Sequence, residues 1–447
     1  MPHRQILLVL LAAIAIACGP ETSRPASHVT EPPEEARVVA PEGELADVPG
    51  RAPTAGEARA IAELLRVAER LRDLRFERPV PFRIQSREVI TQFVRDKIDE
   101  DDLERARVFY VALGLLAPDL DIRDLLVRVL GEQIVGYYDP ERGLMVVRDD
   151  VVAELASQER GRALGEAEMV IVHELVHALQ DQRLALGERY DEERTIDGDN
   201  AFASLVEGDA TLAMIGHMAG QGGRSLTALT RNAGVLRTIV RSNPQSVTGQ
   251  EIESAPPIVR LPLVSRYLDG MVFCATLHGR SGWGGIDDAH GRPPASTEQI
   301  LHPERYVAGE APITVALPEL PELAAAGLVA HEEETLGELE MSIWFAQAAA
   351  RGSAERDETA AEGWGGDRLR VYRDASGRTS VVWFTVWDDE REAREAELAA
   401  RALAAEGAQQ VTRIGRALLI VRDLPASLRA PVEVAFRTFA APYATQP

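Results

Sequence analysis

Cysteine is scarce in this sequence, with only Cys18 and Cys274 among 447 residues. If Cys18 is modified, as argued below, Cys274 has no disulfide partner, and stability must come from the core and any bound metal. Cys274 lies within the apolar stretch 271–275. That setting predicts a small buried side chain and argues against a cysteine nucleophile.

Basic residues are also few relative to acidic residues. Lys and Arg number 48 against 71 Asp and Glu, which gives a formal net charge of −23. A nucleic-acid-binding protein needs a basic face, so we expect no nucleic-acid partner. The acidic surplus does not identify a substrate, because an acidic surface mainly confers solubility. With 45% hydrophobic and 27% charged residues, the composition is that of a soluble globular protein.

The sequence contains one notable apolar run, the twelve residues 6–17, which follow His3 and Arg4. A membrane-spanning helix needs about 20 residues, so this run fits the core of a signal peptide instead. Small residues precede Cys18, as in the lipobox of bacterial lipoproteins, although Ala15 replaces the usual leucine. We therefore predict a lipoprotein signal peptide at 1–17 with lipid on Cys18. The alternatives are ordinary secretion and a buried apolar segment.

The rest of the chain predicts an α+β protein in two domains. Residues 18–55 are rich in Pro, Glu, Ala and Gly and read as a disordered tether. A mostly helical domain with a small sheet is expected at 56–329, with a hairpin near 134–147 and a loop-rich region at 256–312 that contains a helix within 262–280. A boundary near 330 then leads to a small α+β domain at 330–447, which we expect to begin with a helix at about 333–350.

The strongest chemical signal is the string His173-Glu174-Leu175-Val176-His177 in a predicted helix. Residues four apart on a helix lie about 40° apart in azimuth and about 6 Å apart along the axis. His173 and His177 can therefore direct both imidazoles at one zinc ion. Glu174 lies beside that ion, where it can take a proton from an activated water molecule as a catalytic base. The alternative is a buried helix with two incidental histidines.

A catalytic zinc ion needs a third protein ligand. The metzincin position, six residues after His177, holds Arg183, so that arrangement is absent. Glu207 lies on a later predicted helix, thirty residues after His177, and Leu205, Val206 and Ala210 surround it with apolar surface. We predict Glu207 as the third ligand. Asp209 lies about 200° around the helix from Glu207 and cannot share its direction.

The motif, Glu207 and the upstream hairpin together resemble the gluzincin metallopeptidases over residues 130–220. The resemblance implies a zincin-like fold, one Zn²⁺ ion, and an edge strand that receives extended peptide, although an ordinary structural hairpin is an equal alternative. Thermolysin-like gluzincins have an aspartate four residues after the ligand glutamate, where this chain has Thr211. The group that orients the ligand histidines must therefore differ, and Asp209, Asp181 and Asn200 are the candidates.

Over residues 60–440 the chain is similar to uncharacterised bacterial families with no known substrate. They share HELxHALQDQ, EGDA and the strings at 296–303 and 363–367. The second of these strings lacks a phosphate-loop pattern and predicts a tight turn into a strand, with Trp364 in the core.

A zinc peptidase usually has a donor that stabilises the tetrahedral intermediate. His302 and Tyr306 lie four residues apart and are candidates for this transition-state role, or else packing residues at a domain seam. The other histidines considered are predicted to be structural or at the surface: His217, His278 and His290.

These observations predict zinc-dependent hydrolysis of a peptide or protein substrate at the bacterial cell envelope, with membrane attachment through the lipid anchor. Two alternatives stay open. One is a non-catalytic envelope lipoprotein with a structural zinc ion, which would have no need of Glu174. The other is a zinc amidase that acts on cell-wall material.

Overall fold

The computed structural model describes residues 45, 47–157, 165–190, 192–221, 223–242, 250–347, 355–404 and 409–444. Within these ranges the protein is an α+β fold with two sheets. Residues 1–44, which include Cys18 and the predicted signal peptide, lie outside the described residues. In the described part, no helix combines the length and apolar character needed to cross a membrane.

The first region builds a three-stranded sheet flanked by helices. Its elements are α1 (Ala55–Arg72), β1 (Phe82–Gln85), α2 (Arg87–Lys97), α3 (Glu100–Ala112), α4 (Ile122–Gln133), β2 (Gly136–Asp139), β3 (Leu144–Arg148) and α5 (Asp149–Ser157). Strands β2 and β3 form the predicted antiparallel hairpin, and β1 pairs with β3 in parallel. The strand order is β1-β3-β2, so β2 is an edge strand.

The predicted tether extends too far along the chain. Arg51 exchanges main-chain hydrogen bonds with Ile84 of β1 at 3.0 and 2.8 Å. Arg51 also pairs with Glu57, which closes a capping box with Thr54 at the start of α1. Residues 47–54 therefore belong to the folded part, because the sheet and the helix cap satisfy their polar groups.

The second region is almost entirely helical. Its elements are α6 (Glu166–Leu184), α7 (Leu186–Tyr190), α8 (Ile196–Gln221), α9 (Leu226–Thr230), α10 (Ala233–Ser242), α11 (Gln250–Ser254), α12 (Pro257–Ser281), α13 (Trp283–Gly291), α14 (Thr297–Leu301) and α15 (Pro303–Ala308). The helix predicted within 262–280 is confirmed as part of α12, whereas the loop-rich prediction was wrong for most of the rest of 256–312. Pro257 and Pro303 stand at the first position of a helix, where a missing N–H costs no hydrogen bond.

The last region forms a five-stranded antiparallel sheet in the order β4-β5-β6-β8-β7. Its elements are α16 (Pro321–Ala325), β4 (Val329–Glu334), α17 (Gly337–Phe345), α18 (Glu358–Ala361), β5 (Trp364–Arg373), β6 (Thr379–Trp387), α19 (Glu390–Ala404), β7 (Gln409–Ile414), β8 (Ala417–Arg422) and α20 (Arg429–Ala440). Gly363 adopts a φ of 77° before β5, and Trp364 is buried, as predicted.

The helix predicted at about 333–350 begins too early, because Glu333 and Glu334 belong to strand β4 and the helix α17 starts at Gly337. The Glu332-Glu333-Glu334 sequence of β4 has no strand periodicity. The strand is stabilised by its partner, because Glu333 accepts hydrogen bonds from Arg368 and Arg370 of β5 at 2.8 and 2.6 Å. Cross-strand pairs of opposite charge therefore offset the low intrinsic preference of glutamate for β-strands.

One hydrophobic core joins the first and last regions. Phe109, Tyr137 and Tyr267 belong to the same buried cluster as Trp344 and Trp383. The five-stranded sheet begins at the boundary predicted near 330, yet no gap in the core separates it from the preceding helices. The sheet therefore shares its core with the helices of the first region and with α12.

Candidate metal centre

Helix α6 carries the HExxH motif in the interior of the protein. His173, Glu174 and His177 are all buried. Their apolar neighbours on α6 are fully buried and fix the helix in the core: Val172, Leu175, Val176, Ala178 and Leu179. Helix α8 packs against α6 and brings Glu207 to the two histidines.

The three predicted ligands meet at one point. His173 Nε2 lies 3.1 Å from Glu207 Oε2, His177 Nε2 lies 3.4 Å from the same oxygen, and the two Nε2 atoms are 3.1 Å apart. Bonds of about 2.0–2.2 Å in a tetrahedron place ligand atoms roughly 3.3 Å from one another. The observed spacing therefore fits a tetrahedral zinc ion, and the donor set of two imidazoles and one carboxylate is that of a catalytic zinc site.

The charges of the triad suit this role. Burial lowers the pKa of His173, which keeps that ring neutral. Burial opposes ionisation of Glu207, but the charge of His177 and hydrogen bonds from both histidines outweigh it and hold the pKa of Glu207 at about 2. Glu207 is therefore a carboxylate anion, which is the form that binds a cation.

Glu174 is positioned by the hairpin. Its Oε2 accepts a hydrogen bond of 3.1 Å from the main-chain N–H of Tyr138 in edge strand β2. Its Oε1 is buried and has no hydrogen-bond partner in the described residues. Burial raises the pKa of Glu174 to about 8, against the charge of His177. The metal-free carboxyl group is therefore mainly protonated at pH 7, and a cation held by the triad would favour its ionised form. One oxygen is fixed by the Tyr138 N–H, and the other is the one that would exchange the proton.

Gln180 determines which nitrogen of His177 faces the triad. Its Nε2 donates to the carbonyl oxygen of Val206 at 3.0 Å and to Asp209 Oδ2 at 2.9 Å. A carbonyl oxygen only accepts, so Gln180 Oε1 must face His177 Nδ1, 2.8 Å away. Nδ1 therefore carries a hydrogen. In the metal-free chain Nε2 is protonated as well, because burial is outweighed by the Glu207 carboxylate, which raises the pKa of His177 to about 9. Nε2 is the nitrogen that would offer its lone pair to a metal ion.

Asp209 contacts Gln180 on the side away from His177 and is itself held by residues of two further helices. Its Oδ1 lies 2.6 Å from Arg72 Nε of α1, and its Oδ2 lies 3.0 Å from His290 Nε2 of α13. Burial opposes ionisation, but the charge of Arg72 and hydrogen bonds from His290 and Gln180 hold the pKa of Asp209 well below its usual range. Among the three candidates for orienting the histidines, Asp209 acts on His177 through Gln180.

The other two candidates contact different groups. Asp181 Oδ2 accepts a hydrogen bond of 2.8 Å from the Tyr138 hydroxyl, which helps to hold the hairpin against α6. Asn200 Oδ1 accepts from Arg266 Nη2 at 2.9 Å. Tyr267, the next residue, places its ring 5.9 Å from that of His173, so the Arg266 side of α12 borders the triad.

His302 and Tyr306 have partners away from the triad. His302 Nε2 lies 2.9 Å from Glu338 Oε1, at the seam with the C-terminal sheet. The Tyr306 hydroxyl donates to the carbonyl oxygen of Arg292 at 2.8 Å, and its ring packs against Phe273. These contacts correspond to the packing alternative, and the transition-state role of the two residues stays a prediction.

A second acidic group in the described residues combines Glu298, Glu310 and Asp388. Arg305 Nη1 lies between them, 3.2, 2.6 and 2.6 Å from their oxygens. Arg305 already contacts all three carboxyl groups, so we assign no metal ion to this group.

Four contributors to the site were missed by sequence reasoning: Arg72, Gln180, Arg266 and His290. Gln180 belongs to the shared HALQDQ string, which could have drawn attention to it. Arg72 and Arg266 carry no motif, and His290 was predicted to be structural.

Comparison with known proteins gives one match, which lies away from the metal centre. A family model described as Domain of unknown function (DUF8575) matches residues 326–433, which contain the five-stranded sheet. No curated protein and no solved structure matches the chain. The match assigns no chemistry, so the functional argument depends on the site itself.

Proposed function

We propose that this chain is a zinc-dependent peptidase of the gluzincin type, with a zincin-like catalytic region. His173, His177 and Glu207 hold one zinc ion, and Glu174 acts as the base. The proposal rests on the convergence of three buried ligand atoms at 3.1–3.4 Å beside a buried carboxylate with one unpartnered oxygen. A zinc site with a purely structural role would not need the Glu174 carboxylate beside its ligands.

Zinc in such a site supplies Lewis acidity, which polarises a carbonyl group and lowers the pKa of water. The chain's own residues then handle the proton. Glu174 Oε1 takes it, while the N–H of Tyr138 holds Oε2 and so fixes the direction of the carboxylate. The same oxygen later delivers the proton to the leaving amine.

Strand β2 is the element that we propose to align the substrate. It is an edge strand, and Tyr138 links it directly to Glu174. A peptide added along this edge would pair with main-chain groups of β2 other than the Tyr138 N–H, which holds Glu174, and would run past the base in an extended conformation. This supports a peptide or protein substrate over a compact non-peptide amide.

We further propose that the enzyme works at the bacterial cell envelope, attached to the membrane through lipid on Cys18. The support is in the sequence: a short apolar run after two basic residues, with small residues before the cysteine. A lipid chain would tether the catalytic region to the membrane surface without a spanning helix.

The proposal predicts that Glu174→Gln keeps zinc and fold but lowers hydrolysis of an unfolded protein by about 10²- to 10⁴-fold, since the amide cannot act as a base. Zinc content is measured by elemental analysis and turnover on labelled casein and on peptidoglycan. Glu188→Gln, at an exposed glutamate on α7, is the matched control.

Equal turnover by Glu174→Gln and the unchanged protein would exclude Glu174 as the base. Turnover of peptidoglycan but not of casein would contradict the peptidase proposal and support the alternative of a zinc amidase. A protein that binds zinc but cleaves neither substrate would favour the structural site.

A further inference from the structure

Residues 210–250 have the opposite charge balance to the rest of the protein. In the whole chain, acidic residues outnumber Lys and Arg by 71 to 48. This stretch contains no Asp or Glu, and its basic residues are four arginines: Arg224, Arg231, Arg237 and Arg241. It covers the end of α8 and the whole of α9 and α10. Part of the helical region therefore carries the positive charge that the rest of the protein lacks.

The fold adds a second segment without acidic residues to this stretch. Helices α9 and α10 pack against α12, and residues 270–281 of α12 also lack Asp and Glu but include Arg280. The contact is close, because a Cβ atom added to Gly279 would lie 2.3 Å from the carbonyl oxygen of Thr230. The arginines that follow these two residues, Arg231 and Arg280, therefore lie near each other.

Four arginines of this surface have no carboxylate partner within the described residues. Arg224, Arg231 and Arg280 are exposed, and Arg237 donates through Nη2 to the carbonyl oxygen of Leu301 at 2.9 Å. We call these four arginines the arginine face. Their charges are not compensated by ion pairs, so the face can attract an anion from solution.

The acidic residues that follow α12 in the sequence do not neutralise the arginine face. They belong to α13, where Asp287 is paired with Arg72 and Asp288 is exposed. One unpaired carboxylate is thus set against four arginines.

Exposed apolar side chains occur in the same stretch. Five large hydrophobic side chains are exposed in the described residues, and two of them lie here: Met218 on α8, 37% exposed, and Val235 on α10, 51% exposed. Val235 lies four residues after Arg231 and two before Arg237. The surface therefore combines arginines with exposed apolar groups, which is typical of a surface that contacts lipid headgroups and the acyl chains beneath them.

An anionic phospholipid surface fits this combination better than other anions do. A guanidinium group binds phosphate through two parallel hydrogen bonds, and clusters of about four to eight basic residues are typical of binding to anionic lipids. A nucleic acid also offers phosphate but leaves the exposed Met218 and Val235 without a role. A second copy of this chain offers carboxylates in place of phosphate.

We propose that the arginine face docks the protein on an anionic phospholipid surface. Lipid on Cys18 would hold the protein near a membrane without fixing its orientation, whereas a docked face determines which side of the protein meets the membrane. The inference goes beyond the proposed peptidase function, because it requires neither zinc nor hydrolysis.

Vesicle binding tests the inference on protein without attached lipid. The full chain with Cys18→Ser is sedimented with vesicles of phosphatidylcholine alone and with vesicles that contain about 30% phosphatidylglycerol. We expect about 100-fold tighter binding to the anionic vesicles at low salt, and loss of this preference at high salt, because salt screens exposed charges. The apolar run at 6–17 is common to all variants and cancels in their comparison.

Two triple variants locate the preference. The test variant combines three substitutions in the arginine face: Arg224→Gln, Arg231→Gln and Arg280→Gln. Each arginine near the membrane contributes about fivefold to binding, so this variant should lose most of the anionic preference. The control removes the same charge at exposed arginines of α1 and α2 and should keep the preference: Arg59→Gln, Arg87→Gln and Arg95→Gln.

A fluorescent label reports the place of contact. Cys274 is buried, so a single exposed cysteine can be labelled in the Cys18→Ser chain. Bimane attached through Thr238→Cys, at an exposed position of α10, should shift its emission to shorter wavelength when anionic vesicles are added. The same label attached through Ala375→Cys, in the exposed turn between β5 and β6, should not shift.

The outcomes decide the inference without reference to catalysis. Equal binding to both kinds of vesicle, or an anionic preference that survives the triple substitution in the arginine face, overturns it. A label shift with Ala375→Cys but not with Thr238→Cys also overturns it. Salt-sensitive self-association without vesicle binding, abolished by the same triple substitution, would assign the face to contacts between copies of this chain and would overturn the lipid proposal. Hydrolysis is measured in none of these experiments, so their failure leaves the proposed zinc site unaffected.

Discussion

At the scale of single residues, a side-chain amide organises the metal centre. Gln180 has its orientation fixed by the carbonyl oxygen of Val206, which accepts only from the amide nitrogen. That leaves the amide oxygen facing His177 Nδ1, so Nε2 is the nitrogen that faces the triad. Asp209 reinforces the amide from the far side. The orientation of the ring therefore does not depend on a metal ion.

We therefore expect Gln180→Met to lower zinc affinity by about 10–100-fold, the usual effect of losing a group that orients a ligand. Glu207→Ala removes a ligand and should abolish most binding. Competition with a calibrated chelator measures both effects, and Gln92→Met, at an exposed glutamine on α2, is the matched control. Unchanged affinity in Gln180→Met would show that the amide does not orient His177.

The sequence was sufficient for the triad and insufficient for its surroundings. His173 and His177 are related by helical periodicity, which is local, and Glu207 follows on a recognisable apolar helix. Arg72 and His290 reach Asp209 from α1 and α13, at sequence separations that no periodicity encodes. Such contacts depend on tertiary packing, so only the structure shows them.

At the scale of elements, the strong local signals were predicted well. The hairpin of β2 and β3 was predicted from two apolar runs around turn residues, and α6 and α8 from long apolar segments, and the structure contains all of them. The predictions of secondary structure were wrong where a residue type occurs in two kinds of structure. Proline was interpreted as a loop signal although Pro257 begins α12, and glutamates were interpreted as helical although β4 is stabilised by Arg368 and Arg370.

The contact between α8 and α12 depends on two glycines. A Cβ atom added to Gly208 would lie 2.1 Å from the carbonyl carbon of Gly270, and one added to Gly270 would lie 2.1 Å from the carbonyl oxygen of Ser204. These are backbone atoms and cannot move aside without separating the helices. Glu207 precedes Gly208, so the close approach also sets the position of a predicted metal ligand.

Gly208→Ala should therefore lower the free energy of unfolding by about 2 kcal/mol or more, toward the upper range for overpacking, and weaken zinc binding. Gly220→Ala on the same helix meets nothing within 4 Å. It should stabilise the protein by up to about 1 kcal/mol through helix propensity alone. Urea unfolding compares the two variants, and equal stabilities would contradict the close-packing argument.

At the scale of the whole molecule, the C-terminal sheet holds one end of the helix that carries Glu207. Ile196 N–H donates to Glu334 at 3.1 Å, and Asp197 N–H donates to the carbonyl oxygen of Thr335 at 3.2 Å. Asp197 Oδ1 also accepts from the Thr297 N–H at 2.9 Å. The start of α8 is thus fixed against the end of β4 and against α14.

This seam makes stability depend on pH. Burial raises the pKa of Asp197 to about 8, against the hydrogen bonds from Thr297, whereas the ordinary value is 3.8. Below pH 4 the Asp197 carboxyl group is protonated in both the folded and the unfolded chain, so its full contribution to the free energy of unfolding is present. Between pH 4 and 8 only the unfolded chain releases it, so the free energy of unfolding falls as pH rises.

We expect Asp197→Asn to reduce the fall in stability between pH 5 and pH 8, because an amide cannot ionise yet still accepts from Thr297 through its oxygen. Urea unfolding at both pH values measures the change, with Glu322→Gln at an exposed site as control. Some decline should remain, since burial also raises the pKa of Glu298 to about 9 and that of Glu340 to about 8. An unaltered decline in Asp197→Asn would mean that Asp197 ionises without loosening the seam, and that the sheet holds α8 through main-chain hydrogen bonds alone.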